Sequence, residues 1–216
     1  MNRVMFDRDI QNEQVLARYL DLYFYPRFNL HNFQRINDAQ FAGIDVQFVS
    51  NNQIYIVDEK GYLSRSTIQD TFVLELISLN RNGQRVEGWF YKPEKQTIHY
   101  LMCWADRDPI DIYREQLTID HLHRVETMLV NRRILQNYLE EQYGINRTYI
   151  QNNQDQLLRI LQNGPINLPN SNSRYMVSYQ KREQPLNIVT TKDEYIASGA
   201  VEARYMVYRD RIEDLL

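Results

Sequence analysis

One cysteine in 216 residues, Cys103, leaves no partner for an intrachain disulfide and fits a reducing compartment. His121 and His123 stand two apart, which on a helix turns them in different directions, and with one cysteine and no other histidine nearby no structural zinc site is expected. Glycine is scarce, seven in all, and none falls in a Gly-x-x-x-x-Gly-Lys loop or a Gly-x-Gly-x-x-Gly turn, so nucleotide-cofactor folds lose support. No Gly-x-Ser-x-Gly elbow occurs. Cys103 lies inside the apolar run from Ile98 to Trp104 without a histidine at a recognisable position, which argues against a nucleophilic role. No run approaches the ~20 apolar residues that span a bilayer, and Met1 to Asp9 lacks the apolar core of a signal peptide. The expectation is a soluble, cytoplasmic protein with no membrane partner. A net charge of -3 carries no bulk basic excess, so any nucleic-acid surface must be local.

What the chain does have is apolar content of 43%, enough for one full core with or without a subdomain. Its most informative stretch runs from Gly43 to Gly61. Two short runs rich in β-branched and aromatic residues, 43–49 and 54–61, flank the polar turn Ser50-Asn51-Asn52-Gln53 and predict a β-hairpin. Alternation along the second strand puts Asp58 and Lys60 on one face and Glu59 on the other. A turn near Asn51 and Asn52 brings Asp45 beside Asp58 and Lys60 at the edge of an apolar sheet. Two carboxylates held close repel and resist desolvation, so they need a cation. Mg2+ suits them, because it prefers oxygen ligands and keeps several waters. The competing reading is a surface hairpin whose charges are solvated or paired with Lys60.

Asp45, the hairpin and Asp58-Glu59-Lys60 together resemble the PD-(D/E)xK nuclease superfamily, the restriction endonuclease-like phosphodiesterases, over about the first half of the chain. The order of elements is similar as well: a helix with an acid, the hairpin, a further strand, later helices. Two positions depart from the pattern, Ile44 where the family has Pro and the charged Glu59 where an apolar residue is usual. The resemblance implies an α/β (α+β) fold, a central mixed, mainly antiparallel sheet flanked by helices. It implies a Mg2+-dependent nuclease, with Mn2+ as substitute, that cleaves DNA phosphodiesters. In that scheme Asp45 and Asp58 ligate the ion with the backbone carbonyl of Glu59, and Lys60 positions the attacking water. The partner would be nucleic acid, with a homodimer or a partner subunit left open. The rival expectation is a non-catalytic nucleic-acid-binding or protein-interaction module with a nuclease-like fold.

Upstream, Asp9 to Phe24 reads as a helix with Asp7 or Asp9 as N-cap and Pro26 as stop. Leu16, Leu20 and Phe24 form its inward stripe, and Glu13 sits one step earlier on that face. Glu13 is either a further metal ligand or a first-turn acid favoured by the helix dipole. Residues 31–41 read as polar and irregular. Runs 71–79, 86–91 and 97–105 read as strands joining the hairpin in one sheet, with Asn82-Gly83 as a tight turn. Residues 120–143 show a helical stripe of Leu122, Val125, Leu129, Leu135 and Leu139, from which Arg124, Arg132 and Arg133 project as candidates for a phosphate-facing patch. Beyond a helix at 153–161, residues 174–180, 185–191 and 203–209 read as strands, with a short helix at 192–197. The expected organisation is a nuclease-like α/β core at 1–145 and a C-terminal extension at 146–216 packed on it.

Overall fold

In the computed structural model, which describes residues 3–36, 43–80, 82–179 and 183–216 with side chains from residue 8 onward, α1 (Arg3–Tyr23) leads into β1 (His31–Arg35), β2 (Val46–Ser50) and β3 (Gln53–Tyr62). Next come β4 (Thr71–Leu79), β5 (Arg85–Glu87), β6 (His99–Arg107) and β7 (Leu122–Asn131), then α2 (Arg132–Tyr143) and α3 (Arg147–Ile160). The chain closes with β8 (Ile166–Asn167), β9 (Arg174–Val177), β10 (Leu186–Thr191), α4 (Lys192–Ala197), β11 (Val201–Val207) and β12 (Ile212–Asp214). The fold is mixed α+β, as expected. Among the described residues no helix is long and apolar enough to cross a membrane.

The contacts divide the chain into two compact units, one of residues 1–69, 96–130 and 201–216, the other of 70–95 and 131–200. The expected division between 145 and 146 falls inside the second unit, because the chain leaves the first and returns to it twice. The first unit holds a seven-stranded mixed sheet in the order β1-β2-β3-β6-β7-β11-β12. Within it β3 pairs with β6 in parallel, which needs a long crossover, and residues 63–98 supply it. The hairpin forms as the sequence predicts. Asn51 and Asn52 take φ of 49° and 62°, the left-handed pair of a two-residue turn that matches strand twist, and Ser50 pairs with Gln53.

α1 starts earlier than Asp9, which lies within the helix; Asp7's side chain falls outside the described residues. Its stripe Leu16, Leu20 and Phe24 is buried in one cluster with Val46, Val57, Leu101, Cys103 and Val125. Each fully buried leucine contributes roughly 2 kcal/mol, so this stripe fixes the helix against the sheet. Gly61 permits a tight approach: a Cβ there would stand 2.7 Å from Leu16 Cδ2.

The second unit is a five-stranded antiparallel sheet, β5-β4-β10-β9-β8, with α2, α3 and α4. Runs 71–79 and 86–91 therefore do not join the hairpin; β4 and β5 belong to this other sheet. A buried apolar run shows that a strand is covered on both faces and carries no sign of which sheet it enters. The tail also divides, β9 and β10 going to the second sheet and β11 and β12 to the first, while α4 spans the residues expected.

The helix expected at 120–143 is in fact β7 followed by α2. Asn131 makes the break: its side-chain oxygen accepts from the backbone N–H of Arg133 and Ile134, capping the helix, while Gly144 at φ 67° ends it. Upstream, Val125, Glu126, Thr127 and Met128 are buried in succession, a pattern of a strand covered on both sides that also mimics a helical stripe. Residues 31–35, expected to be irregular, form β1 on the edge of the first sheet, antiparallel to β2. The rest of that expected loop, 37–41, lies outside the described residues, as does Gln180 at the end of the strand expected from Arg174.

Candidate functional site

The hairpin register decides which acids meet. Val46 pairs with Val57, and just beyond the end of β2 the Asp45 N–H donates to the Val57 carbonyl at 2.9 Å. Asp45 therefore lies opposite Asp58, on the strand face that alternation also gives to Lys60. The structure brings all three together. Lys60 Nζ stands 2.7 Å from Asp58 Oδ1, and Asp58 lies close enough to Asp45 for its charge to act on the Asp45 carboxyl.

Burial, then the charge of Asp58, pushes the Asp45 carboxyl up to about 7, with Lys60 pulling the other way. For Lys60, burial works against the ammonium, but Asp58, Asp45 and Glu13 outweigh it and hold its pKa above the usual lysine value. Asp58 is almost wholly buried, with 4% of its side chain exposed, whereas Lys60 keeps 23%. The pair of acids is thus reached from solvent at the Asp45 and Lys60 end. Glu13, on the exposed surface of α1, lies within electrostatic range of Lys60. Among the described residues no group of three or more His, Cys, Asp or Glu side chains stands close enough to hold a metal ion.

Glu59 divides its roles between backbone and side chain. Its N–H donates to Asp45 Oδ2 at 2.7 Å, and in an extended strand the carbonyl of the same residue points the same way, past the end of β2 toward the acids. Its carboxylate points to the other face. There it accepts from Tyr25 Oη at 2.6 Å and from Arg35 Nη1 at 2.9 Å, and Arg35 also clasps Asp21 through Nη2 at 2.6 Å. Burial raises the Glu59 carboxyl despite Arg35. The Glu59 side chain is consumed by this network, which pins the strand that carries Asp58 and Lys60. Sequence reasoning missed Arg35, Tyr25 and Asp21; the arginine inside a polar edge segment was the available signal.

Removing that anchor has a predictable cost. Glu59→Gln leaves Arg35 with Asp21 alone and Tyr25 with a weaker acceptor, and destabilises the protein by about 2–3 kcal/mol, read as a lower urea midpoint at unchanged slope. A second prediction follows from Asp45. Its folded pKa of about 7 lies above the ordinary 3.8, so between those values the folded state binds more protons than the unfolded one and stability falls as pH rises. Melting temperature drops between pH 5 and pH 8 by several degrees more in the wild type than in Asp45→Asn, which has no proton to lose there. Parallel profiles would contradict this.

The expected arginine patch does not form on one helix. Arg124 lies on β7 and pairs with Asp106 at 2.9 Å; Arg132 donates to the carbonyls of Phe90, Lys92 and Lys95; Arg133, on the first turn of α2, is exposed. Two of the three guanidiniums are spent on internal partners. His121 sits in a short turn with Nδ1 accepting from the Thr118 N–H, and His123 pairs with Asp108.

Two carboxylates, one just before β2 and one on β3, and the β3 carbonyl of Glu59 are all hard oxygen donors, the set that suits a Mg2+ or Mn2+ ion keeping several waters. A cation bound there would displace the proton that Asp45 carries below about pH 7. Comparison with protein-family models, curated proteins and solved structures gives no match.

Proposed function

We propose that the protein is a Mg2+-dependent nuclease of the PD-(D/E)xK type, hydrolysing phosphodiester bonds in DNA. One observation carries this reading: the hairpin register sets Asp45, just before β2, opposite Asp58 on β3, and the partly exposed Lys60 ammonium stands 2.7 Å from Asp58. Topology supports it too, since a helix packs behind an antiparallel hairpin whose second strand pairs in parallel with a later one.

Asp45, Asp58 and the Glu59 carbonyl would hold the ion, with Glu13 reaching it through water. The bound ion supplies charge neutralisation at the phosphate and acidifies water. Lys60 orients the attacking water and offsets charge on the scissile phosphate, as a preorganised cation in a partly desolvated site does best. Asp45 accepts the N–H of Glu59, which keeps its carboxylate fixed toward Asp58. No covalent intermediate is needed.

A second reading has its own support. The acids and Lys60 neutralise one another without a metal, and no third acid gathers with them among the described residues, as in a nuclease-like module that binds nucleic acid or protein without cutting. Incubating the full chain with single-stranded, duplex and branched DNA and with RNA, in Mg2+ or in EDTA, separates the two. Metal-dependent cleavage of any DNA supports the nuclease. A chain inert on all of them, in Mn2+ as well, overturns it.

A further inference from the structure

The opposite face of β3 carries an unassigned feature. Tyr55 and Val57 point away from Asp58 and Lys60 and line a cavity of about 260 Å3 in the first unit. Phe48 and Tyr55 stack along one side, centroids 5.0 Å apart and planes 15° from parallel. Across the cavity Phe28 packs on Tyr205 at 5.2 Å, and Leu101 and Leu129 complete the apolar lining.

Into this aromatic space the fold sets one carboxylate. Val201 pairs with Val130 and Ala203 with Leu129, so Glu202 is the extra residue of a β-bulge on β11. Bulges re-aim a side chain, and this one sends Glu202 toward β6, where its Oε1 lies 3.1 Å from Nε2 of the wholly buried His99. His99 Nδ1 is buried with no hydrogen-bond partner among the described residues. The tautomer that donates from Nε2 is therefore the cheaper one, and it orients the carboxylate. The His99 ring in turn rests on Tyr55 at 4.9 Å.

We infer that this cavity binds a guanine base, stacked on the aromatic side chains and held at its N1–H and exocyclic amine by Glu202. A carboxylate has only acceptors, so it selects an edge with adjacent donors, and guanine is the common base that offers two. A flat stacked pair favours a planar ring over a compact ammonium ion, and base–aromatic stacking is strong for every base. Ser50 and Asn51 at the rim provide hydroxyl and amide groups for a sugar. The base could arrive as a free nucleoside or in an unpaired strand.

Calorimetric titration of the full chain with guanosine, adenosine, tetramethylammonium, and tetranucleotides with and without guanine tests the inference. Binding of guanosine, or only of the guanine tetranucleotide, supports it and distinguishes the two sources. Adenosine should bind at least about tenfold more weakly. Glu202→Gln should lower guanine affinity at least about tenfold, Tyr55→Leu should weaken all stacking, and Asp45→Asn should leave binding unchanged. Tyr55→Leu keeps the test usable if Glu202→Gln fails to fold. No binding of either guanine ligand, binding of tetramethylammonium alone, or equal binding of guanosine and adenosine would overturn it.

Discussion

If the proposed nuclease reading holds, Lys60→Ala should lower Mg2+-dependent DNA cleavage by about 1,000-fold or more while the protein stays folded. That loss corresponds to about 4 kcal/mol of transition-state stabilisation, the scale of removing one preorganised charge from a site with restricted water. The position supports a value this large: Lys60 is held at 2.7 Å from Asp58, its charge is reinforced by three acids, and part of the side chain still reaches solvent. Losing the ammonium weakens the pairing of Asp58 and costs stability, but the buried stripe of α1 and the hairpin register that hold this part of the fold do not use the Lys60 side chain. Lys60→Met, which preserves the alkyl packing, should be equally inactive. Single-turnover cleavage of labelled duplex together with a thermal melt checks both halves. Residual activity above about a tenth of wild type would remove Lys60 from the chemistry.

The second large effect is a pH-dependent metal affinity. Since Asp45 carries a proton up to about pH 7, a cation bound there would have to expel it, and affinity for Mn2+ should rise about tenfold per pH unit below that value and level off above it. From pH 5 to pH 7 the gain is on the order of 100-fold, with close to one proton released per ion at the lower pH. Asp45→Asn abolishes both the site and its proton release. Calorimetry in two buffers of different ionisation enthalpy reads the proton count directly. A pH-independent affinity would mean that ions bind elsewhere.

Those three residues were legible because a strand has period two and a two-residue Asn turn leaves one register open. Once Ser50 faces Gln53, Asp45 must fall opposite Asp58, and Lys60 shares their face. The stripe of α1 was legible for a similar reason, and the short helix expected at 192–197 is α4. What could not be read is non-local. β4 and β6 are both apolar runs after a turn, and nothing in either says that one enters the second sheet and the other the first. Leu122, Val125 and Leu129 fit a helical stripe as well as a doubly covered strand, and the choice is made by the strands on either side of β7. Arg35 holds Glu59 from an edge strand 24 residues away, through a contact that no spacing rule connects.

The account rests on whether Asp45 and Asp58 bind one cation between them. Anomalous diffraction from a crystal soaked in Mn2+ at pH 8 is the most direct test. A single peak about 2.1–2.3 Å from one oxygen of each acid and from the Glu59 carbonyl is the predicted result. No peak between the two acids at saturating Mn2+ would contradict it.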